Sequence, residues 1–233
     1  MDNNITEFAK LHRVGFCKVP KDINKMLSFS FFGRKFVAPR TIDLRDYCTP
    51  TDDQGSKPWC AAYAAAQWAE NIRWRKDDLD PRENNIDPTW IYQYAKSVDG
   101  DPNGEGTTLT AVLDALLSRG VFDRRVCKIR TINADRDAVK YAVHKFGCIL
   151  GGFNVTDEWY ELNPSKTFVN GDSENFQGGH AVLICGYNPD GVLIQNSWGE
   201  RWGEYGFGLI GWEAFDKQFI YGSVLTNCLN GFQ

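Results

Sequence analysis

Apolar residues follow two different patterns along this chain. From about residue 60 to 146 they recur at helical spacing, and beyond 148 they gather in short runs broken by Gly, Pro, Asn and Asp. The run CAAYAAAQWAENIRWRK, Cys60 to Lys76, consists largely of strong helix formers without Gly or Pro, and Pro58 stands two residues ahead of it. This predicts a helix that begins at Cys60. Asp87 as N-cap and Pro88 at the first helical position predict a second helix, to about Val98, and a glycine-rich loop follows from Gly100 to Gly106. Thr108 to Arg119 sets Leu109, Val112, Leu113 and Leu116 on one face and stops at Gly120, and a similar segment from Asp135 to Phe146 stops at Gly147. The runs Cys148 to Phe153, His180 to Tyr187, Val192 to Gln195 and Tyr205 to Ile210 predict strands of an antiparallel sheet or barrel.

Helices first and strands afterwards make an α+β arrangement of two lobes around a cleft, the usual place for enzyme chemistry. Residues 1–38 stand apart, with no sustained period but with Phe29, Phe31, Phe32 and Phe36 close together. Four aromatic rings are costly to leave in water, so this extension is expected to dock on the main body.

Composition narrows the function. At 233 residues with 42% hydrophobic content the chain can build a real core. A formal net charge of -4 gives no footprint for a phosphate backbone, so no nucleic-acid partner is expected. No stretch approaches the roughly 18 apolar residues that cross a membrane, and the start MDNNITEFAK lacks the basic-then-apolar pattern of a secretory signal. A soluble protein is expected, either cytoplasmic or exported by a non-classical route. The seven cysteines (Cys17, Cys48, Cys60, Cys127, Cys148, Cys185 and Cys228) are odd in number, which favours reduced thiols. None lies two to four residues from another and only three histidines exist, so a structural zinc site has little support and no metal is expected.

Candidate chemistry centres on Cys60. A cysteine at a helix N-terminus lies in the positive end of the dipole, which favours the nucleophilic thiolate. Read alone, it is equally a small core residue in an Ala-rich helix. His180, preceded by Gly178 and Gly179, begins a strand and can exchange a proton near neutrality. Asn196, sixteen residues on, ends the strand VLIQN and can fix the imidazole plane through its amide oxygen, with Trp198 as a shield for that bond. Gln54, six residues before Cys60, can offer its amide to the oxyanion of a tetrahedral intermediate, or can simply face solvent.

The order Gln54, Cys60, His180, Asn196, with Asn196 to Gly199 reading NSWG, resembles the papain family of cysteine peptidases. The following GERWGEYGFGLI is similar to the family's closing strand region. Pro39, Asp43, Leu44 and Arg45 look like the start of its mature domain, so the resemblance covers about residues 39–233. It implies a helical lobe over about 53–147 and a barrel-like antiparallel lobe over about 148–233 plus 39–52, with the site between them. It also implies a cysteine endopeptidase acting on a peptide or protein through a Cys60 thioester, a reaction that needs no metal or organic cofactor. Acyl transfer, deamidation, isopeptide cleavage and a silent peptide-binding module remain as alternatives.

By the same resemblance Gly106 is a backbone contact to substrate, or equally a glycine placed before a helix; Gly179 lines the substrate path; and Trp202 is the aromatic wall on the leaving-group side, with core packing as the alternative. Around the nucleophile the chain departs from the family's Cys-Gly-Ser-Cys-Trp: Lys57 replaces a cysteine of a family disulfide, Trp59 precedes Cys60, and Ala61 follows it. Residues 1–38 occupy the place of a propeptide and are expected to dock on the cleft in cis.

Overall fold

The computed structural model describes residues 37–77, 85–122 and 128–226, together with His12 and Val14. The aromatic cluster from Phe29 to Phe36, and Cys17, Cys127 and Cys228, lie outside the described residues.

The helix expected at Cys60 is α1, Cys60–Asp77. Ala61, Ala62, Ala64, Ala65, Ala66, Trp68, Ala69 and Ile72 are all buried, so this helix is covered on nearly every side. Small residues let two layers approach it, the sheet on one flank and helices α2 (Pro88–Val98) and α3 (Leu109–Ser118) on the other. Both helices begin as their sequences predict: the Asp87 side chain accepts from the Thr89 amide and the Thr108 hydroxyl from the Ala111 amide. Polar side chains on α1 then stitch it in place. Trp68 donates to the Cys148 carbonyl at 2.9 Å, and Asn71 donates to the Tyr47 carbonyl at 2.9 Å. Glu70 accepts from the Ile86 amide at 2.7 Å, which anchors the approach to α2.

Eight strands form one sheet among the described residues: β1 (Ile42–Asp43), β2 (Lys128–Ile132), β3 (Ile149–Thr156), β4 (Phe168–Val169), β5 (Phe176–Tyr187), β6 (Gly191–Gln195), β7 (Phe207–Gly211) and β8 (Phe219–Thr226). Their order is β2-β8-β3-β5-β6-β7-β4, with β1 added to the end of β5. All pairs are antiparallel except β4 with β7. Register shifts in β3 and β5 bend the central strands.

Helix α4 (Arg136–Phe146), capped by Asp135, and helix α5 (Trp212–Gln218) cover the sheet's other face. Ala138, Val139, Ala142 and Val143 of α4 join Phe153, Trp159, Ile194 and Phe215 in a second core. The boundary between the lobes therefore needs correction. Segment 128–146 belongs to the sheet, because β2 pairs with the distant β8 and α4 packs on strands, so the helical lobe closes near Phe122 and not near residue 147. Among the described residues no helix is long and apolar enough to cross a membrane.

Candidate active site

Cys60 opens α1 and is completely buried. The Trp59 carbonyl accepts from the Ala62 and Tyr63 amides at 2.9 and 3.1 Å, which aligns the first turn beneath the sulfur. The neighbouring strand β5 carries His180, also without exposed surface, opposite Phe153 of β3.

The imidazole is held on one side. His180 Nε2 lies 2.7 Å from Asn196 Oδ1, and the same oxygen accepts from the Ser197 amide at 2.8 Å. A backbone N–H can only donate, so the shared atom is an acceptor and Nε2 must carry the proton toward it. In the neutral ring Nδ1 is then the bare nitrogen. It is buried and makes no hydrogen bond among the described residues. Burial pushes the His180 pKa down to about 4; the Asn196 bond raises it in part, and nearby His12 opposes its protonation. In this closed arrangement the ring is neutral near pH 7.

Asn196 is itself fixed by backbone bonds. Its amide donates to the Gly206 carbonyl at 2.9 Å, and its carbonyl accepts from Gln67 Nε2 of α1 at 3.2 Å. Gly206 has φ of +86°, and a Cβ there would stand 2.2 Å from Thr51 Oγ1, so the loop that supports Asn196 closes only on glycine.

Aromatic rings exclude water from the His180–Asn196 bond. The Trp198 ring centroid is 4.5 Å from that of His180, Tyr160 stacks on Trp198 at 5.1 Å, and Trp159 meets His180 edge-on at 6.2 Å. The shielding expected of Trp198 fits this geometry. For Trp202 the geometry favours the core alternative: it is fully buried, its Nε1 donates to the Trp159 carbonyl at 2.7 Å, and its edge braces Trp198 at 6.0 Å. The ring packs in the core behind Trp198.

Gln54 does not face solvent; it is 2% exposed. Its Oε1 accepts from the Ser197 hydroxyl at 2.7 Å, its Nε2 donates to the Lys57 carbonyl at 2.8 Å, and its backbone amide donates to the Ser197 carbonyl at 2.9 Å. The turn before Cys60 is thus tied to the segment that carries Asn196. Gln67, Tyr160 and Trp159 had no motif of their own, although a glutamine inside a buried Ala-rich helix is a usable signal for a polar network.

Gly106 is buried ahead of α3, with its carbonyl 3.1 Å from Lys96 Nζ, and Gly179 is half-buried in β5 opposite Asn154. Beside the nucleophile, Trp59 stacks on Tyr92 at 4.3 Å with Lys57 Nζ 4.5 Å above it. His12 and Val14 reach the same region. His12 Nε2 lies 3.1 Å from Asp53 Oδ1 and its ring 6.0 Å from Trp198. Gly178, with φ of +137°, is so close to Val14 that a Cβ would stand 2.9 Å from Val14 Cγ2.

Known proteins share parts of this sequence and this fold. Residues 118–218 match the family described as papain family cysteine protease. Cathepsin J of Mus musculus is 27% identical over 200 residues, 69% of this chain and 56% of that protein. Cathepsin K of Mus musculus is 24% identical over 196 residues, 74% of this chain and 59% of that protein. The chain spans just under three fifths of the length of these curated relatives. Among solved structures, xylellain, a cysteine protease from Xylella fastidiosa, superposes with a TM-score of 0.71 at 19% identity over 91% of this chain and 95% of that one. ProCathepsin B S9 from Trypanosoma congolense gives 0.70 at 13% identity, over 93% of this chain and 87% of that one.

Proposed function

We propose, on its similarity to the papain family of cysteine proteases, that this chain is a cysteine endopeptidase, with Cys60 as nucleophile, His180 as base and acid, and Asn196 as the group that positions the ring. The observation that carries the proposal is the one-sided imidazole: Nε2 is committed to Asn196 at 2.7 Å while Nδ1 is bare and buried. Nδ1 is the nitrogen that takes the Cys60 proton. The thiolate, stabilised by the N-terminal end of α1, attacks the peptide carbonyl. His180 then protonates the departing amine and later draws a proton from the water that cleaves the thioester. The Cys60 amide and the Gln54 carboxamide stabilise the oxyanion of each tetrahedral step. Gly106 and Gly179 are proposed to border the substrate path.

The contacts of His12 with Asp53 and Trp198, and of Val14 with Gly178, support a second element of the proposal. On this reading residues 1–38 restrain substrate access through the part that carries His12 and Val14. Its removal should speed peptide turnover.

The deciding experiment measures hydrolysis of a peptide library by the full chain and by its Cys60→Ala variant, with product masses read by mass spectrometry. New amino termini from the parent chain, none from the variant, and the same circular dichroism spectrum for both are expected. Undiminished cleavage by the variant would overturn the assignment of the nucleophile. Products that carry a transferred acyl group or a deamidated side chain would move the reaction to another class.

A further inference from the structure

The described residues hold three thiols that the proposed reaction does not use, and they lie together. Cys48 follows the short helical turn Arg45–Tyr47. Its Sγ is 3.5 Å from the Leu44 carbonyl and 3.9 Å from Asn71 Nδ2. Asn71 stands eleven residues beyond Cys60 on α1, about 16 Å along the helix axis, so the cluster is separate from the catalytic sulfur. Cys148 immediately precedes β3 and Cys185 lies in β5. The register that pairs Ile149 with Ile184 sets Cys148 opposite Cys185 one step further on. Both are buried, at 2% and 0% exposure; the Leu44 amide donates to the Cys185 carbonyl at 2.9 Å, and Trp68, one turn before Asn71, donates to the Cys148 carbonyl at 2.9 Å, so both stand beside the Cys48 segment.

Access differs among the three. Cys48 is half-buried and lines a surface groove with Thr49, Pro50, Trp74, Glu200 and Tyr205. Cys148 and Cys185 sit behind it, in the core between sheet and α1. All three are free thiols. Among the described residues no group of three or more His, Cys, Asp or Glu is arranged to hold a metal ion. Buried cysteines ordinarily serve as small apolar fillers. A sulfur at the surface backed by two others close behind it is the arrangement that thiol oxidation requires.

We propose that Cys48 is a second reactive site of this protein, a peroxide-sensitive thiol whose oxidised form is resolved to a disulfide by Cys148 or Cys185. The electrostatics agree with the geometry. The Cys148 and Cys185 thiols, followed by Asn71, donate to Cys48 and hold its pKa well below the ordinary thiol value. Burial, and then the neighbouring Cys48, push the other two upward. The proton therefore leaves first from the sulfur that solvent reaches.

In the first step the Cys48 thiolate attacks one oxygen of hydrogen peroxide. An S–O bond forms, the O–O bond breaks, and the hydroxide released takes a proton to become water. In the second step a thiol behind it attacks the Cys48 sulfur. An S–S bond forms, the S–O bond breaks, and the departing hydroxide takes the thiol's proton as a second water. Two thiols lose two electrons in total, and one peroxide is reduced to two waters. The disulfide would tie the 44–49 segment to the sheet, and Gln195 Nε2 already grips that segment at the Thr49 carbonyl at 2.7 Å.

The test uses the full chain carrying Cys60→Ala, so that the catalytic thiol is silent. The protein is treated with hydrogen peroxide, thiols are counted in denaturant with a chromogenic disulfide, and non-reduced peptides are mapped by mass spectrometry. The expected result is loss of two thiols and a linked peptide pair that joins Cys48 to Cys148 or Cys185. Added Cys48→Ser should slow the loss at least tenfold with an unchanged circular dichroism spectrum. If that variant fails to fold, dimedone capture of sulfenic acid on the parent chain decides, and the adduct is expected on Cys48. Links confined to Cys17, Cys127 or Cys228, unchanged thiol loss after Cys48→Ser, or a dimedone adduct only elsewhere would each overturn the proposal.

Discussion

Glu70 makes the fold sensitive to pH in a direction that can be worked out. It projects from α1 at 2% exposure and accepts from the Ile86 amide at 2.7 Å. Burial raises its pKa from 4.5 to about 7; the Ile86 amide and Thr49 lower it only in part, and Asp52 adds to the rise. Between those two values the folded chain holds a proton that the unfolded chain has released, so stability is greatest at or below pH 4.5 as far as this group is concerned. It declines as pH rises toward 7, where the cost of the buried charge is fully present. The gap of 2.5 pH units, at 1.36 kcal/mol each, amounts to about 3 kcal/mol. Glu70→Gln keeps an oxygen for the Ile86 amide and removes the titration. Urea unfolding of both proteins from pH 4.5 to 8 should show the variant more stable above pH 7 by about 2 to 3 kcal/mol and nearly equal at pH 4.5. Parallel pH profiles for the two proteins would refute the reasoning, because the slope would then come from elsewhere.

Three further perturbations bear on the site. Asn196→Ala removes the acceptor of His180 Nε2 and leaves that N–H buried, a cost of about 1–3 kcal/mol, so separate kcat and KM measurements should show kcat down about 10- to 100-fold with KM little changed. An unchanged kcat would exclude the positioning role. Gln54→Ala should lower kcat/KM by about 100-fold, near 3 kcal/mol, whereas Ser197→Ala, which removes only the hydroxyl donor to Gln54 Oε1, should cost much less; equal losses would make Gln54 a structural tie. His12→Ala removes a group that opposes protonation of His180, so the imidazole titration followed by NMR should move up from about 4 toward the ordinary value, and a fixed titration would argue against cleft docking by that segment.

Much of the helical half was legible because its signals are local. Asp87 with Pro88, Thr108, and Asp135 each cap the helix that their positions announce. Strands β2 and β8 carried no comparable mark, since each is defined by a partner about a hundred residues away and not by its own alternation. The same long-range pairing moved 128–146 out of the helical lobe. At the site, Cys60, His180, Asn196 and Gln54 stood out as residue types with known chemistry at suggestive positions. Their supports did not: Ser197, Gln67 and Tyr160 act through contacts that only folding creates. Trp202 stayed open between two roles, because an aromatic residue near a cleft can face substrate or brace the core and sequence position does not say which. The three-thiol cluster was equally hidden, its members coming from segments 44–49, 147–149 and β5.

The most direct test of the central claim is capture of the acyl intermediate. The full chain is mixed with a peptide p-nitrophenyl ester, quenched in acid within the first turnover, and digested for mass spectrometry. A thioester adduct on Cys60, absent in Cys60→Ala and accumulating less rapidly in His180→Ala, is the expected result. Ester cleavage at the parental rate with no adduct on Cys60 would contradict it.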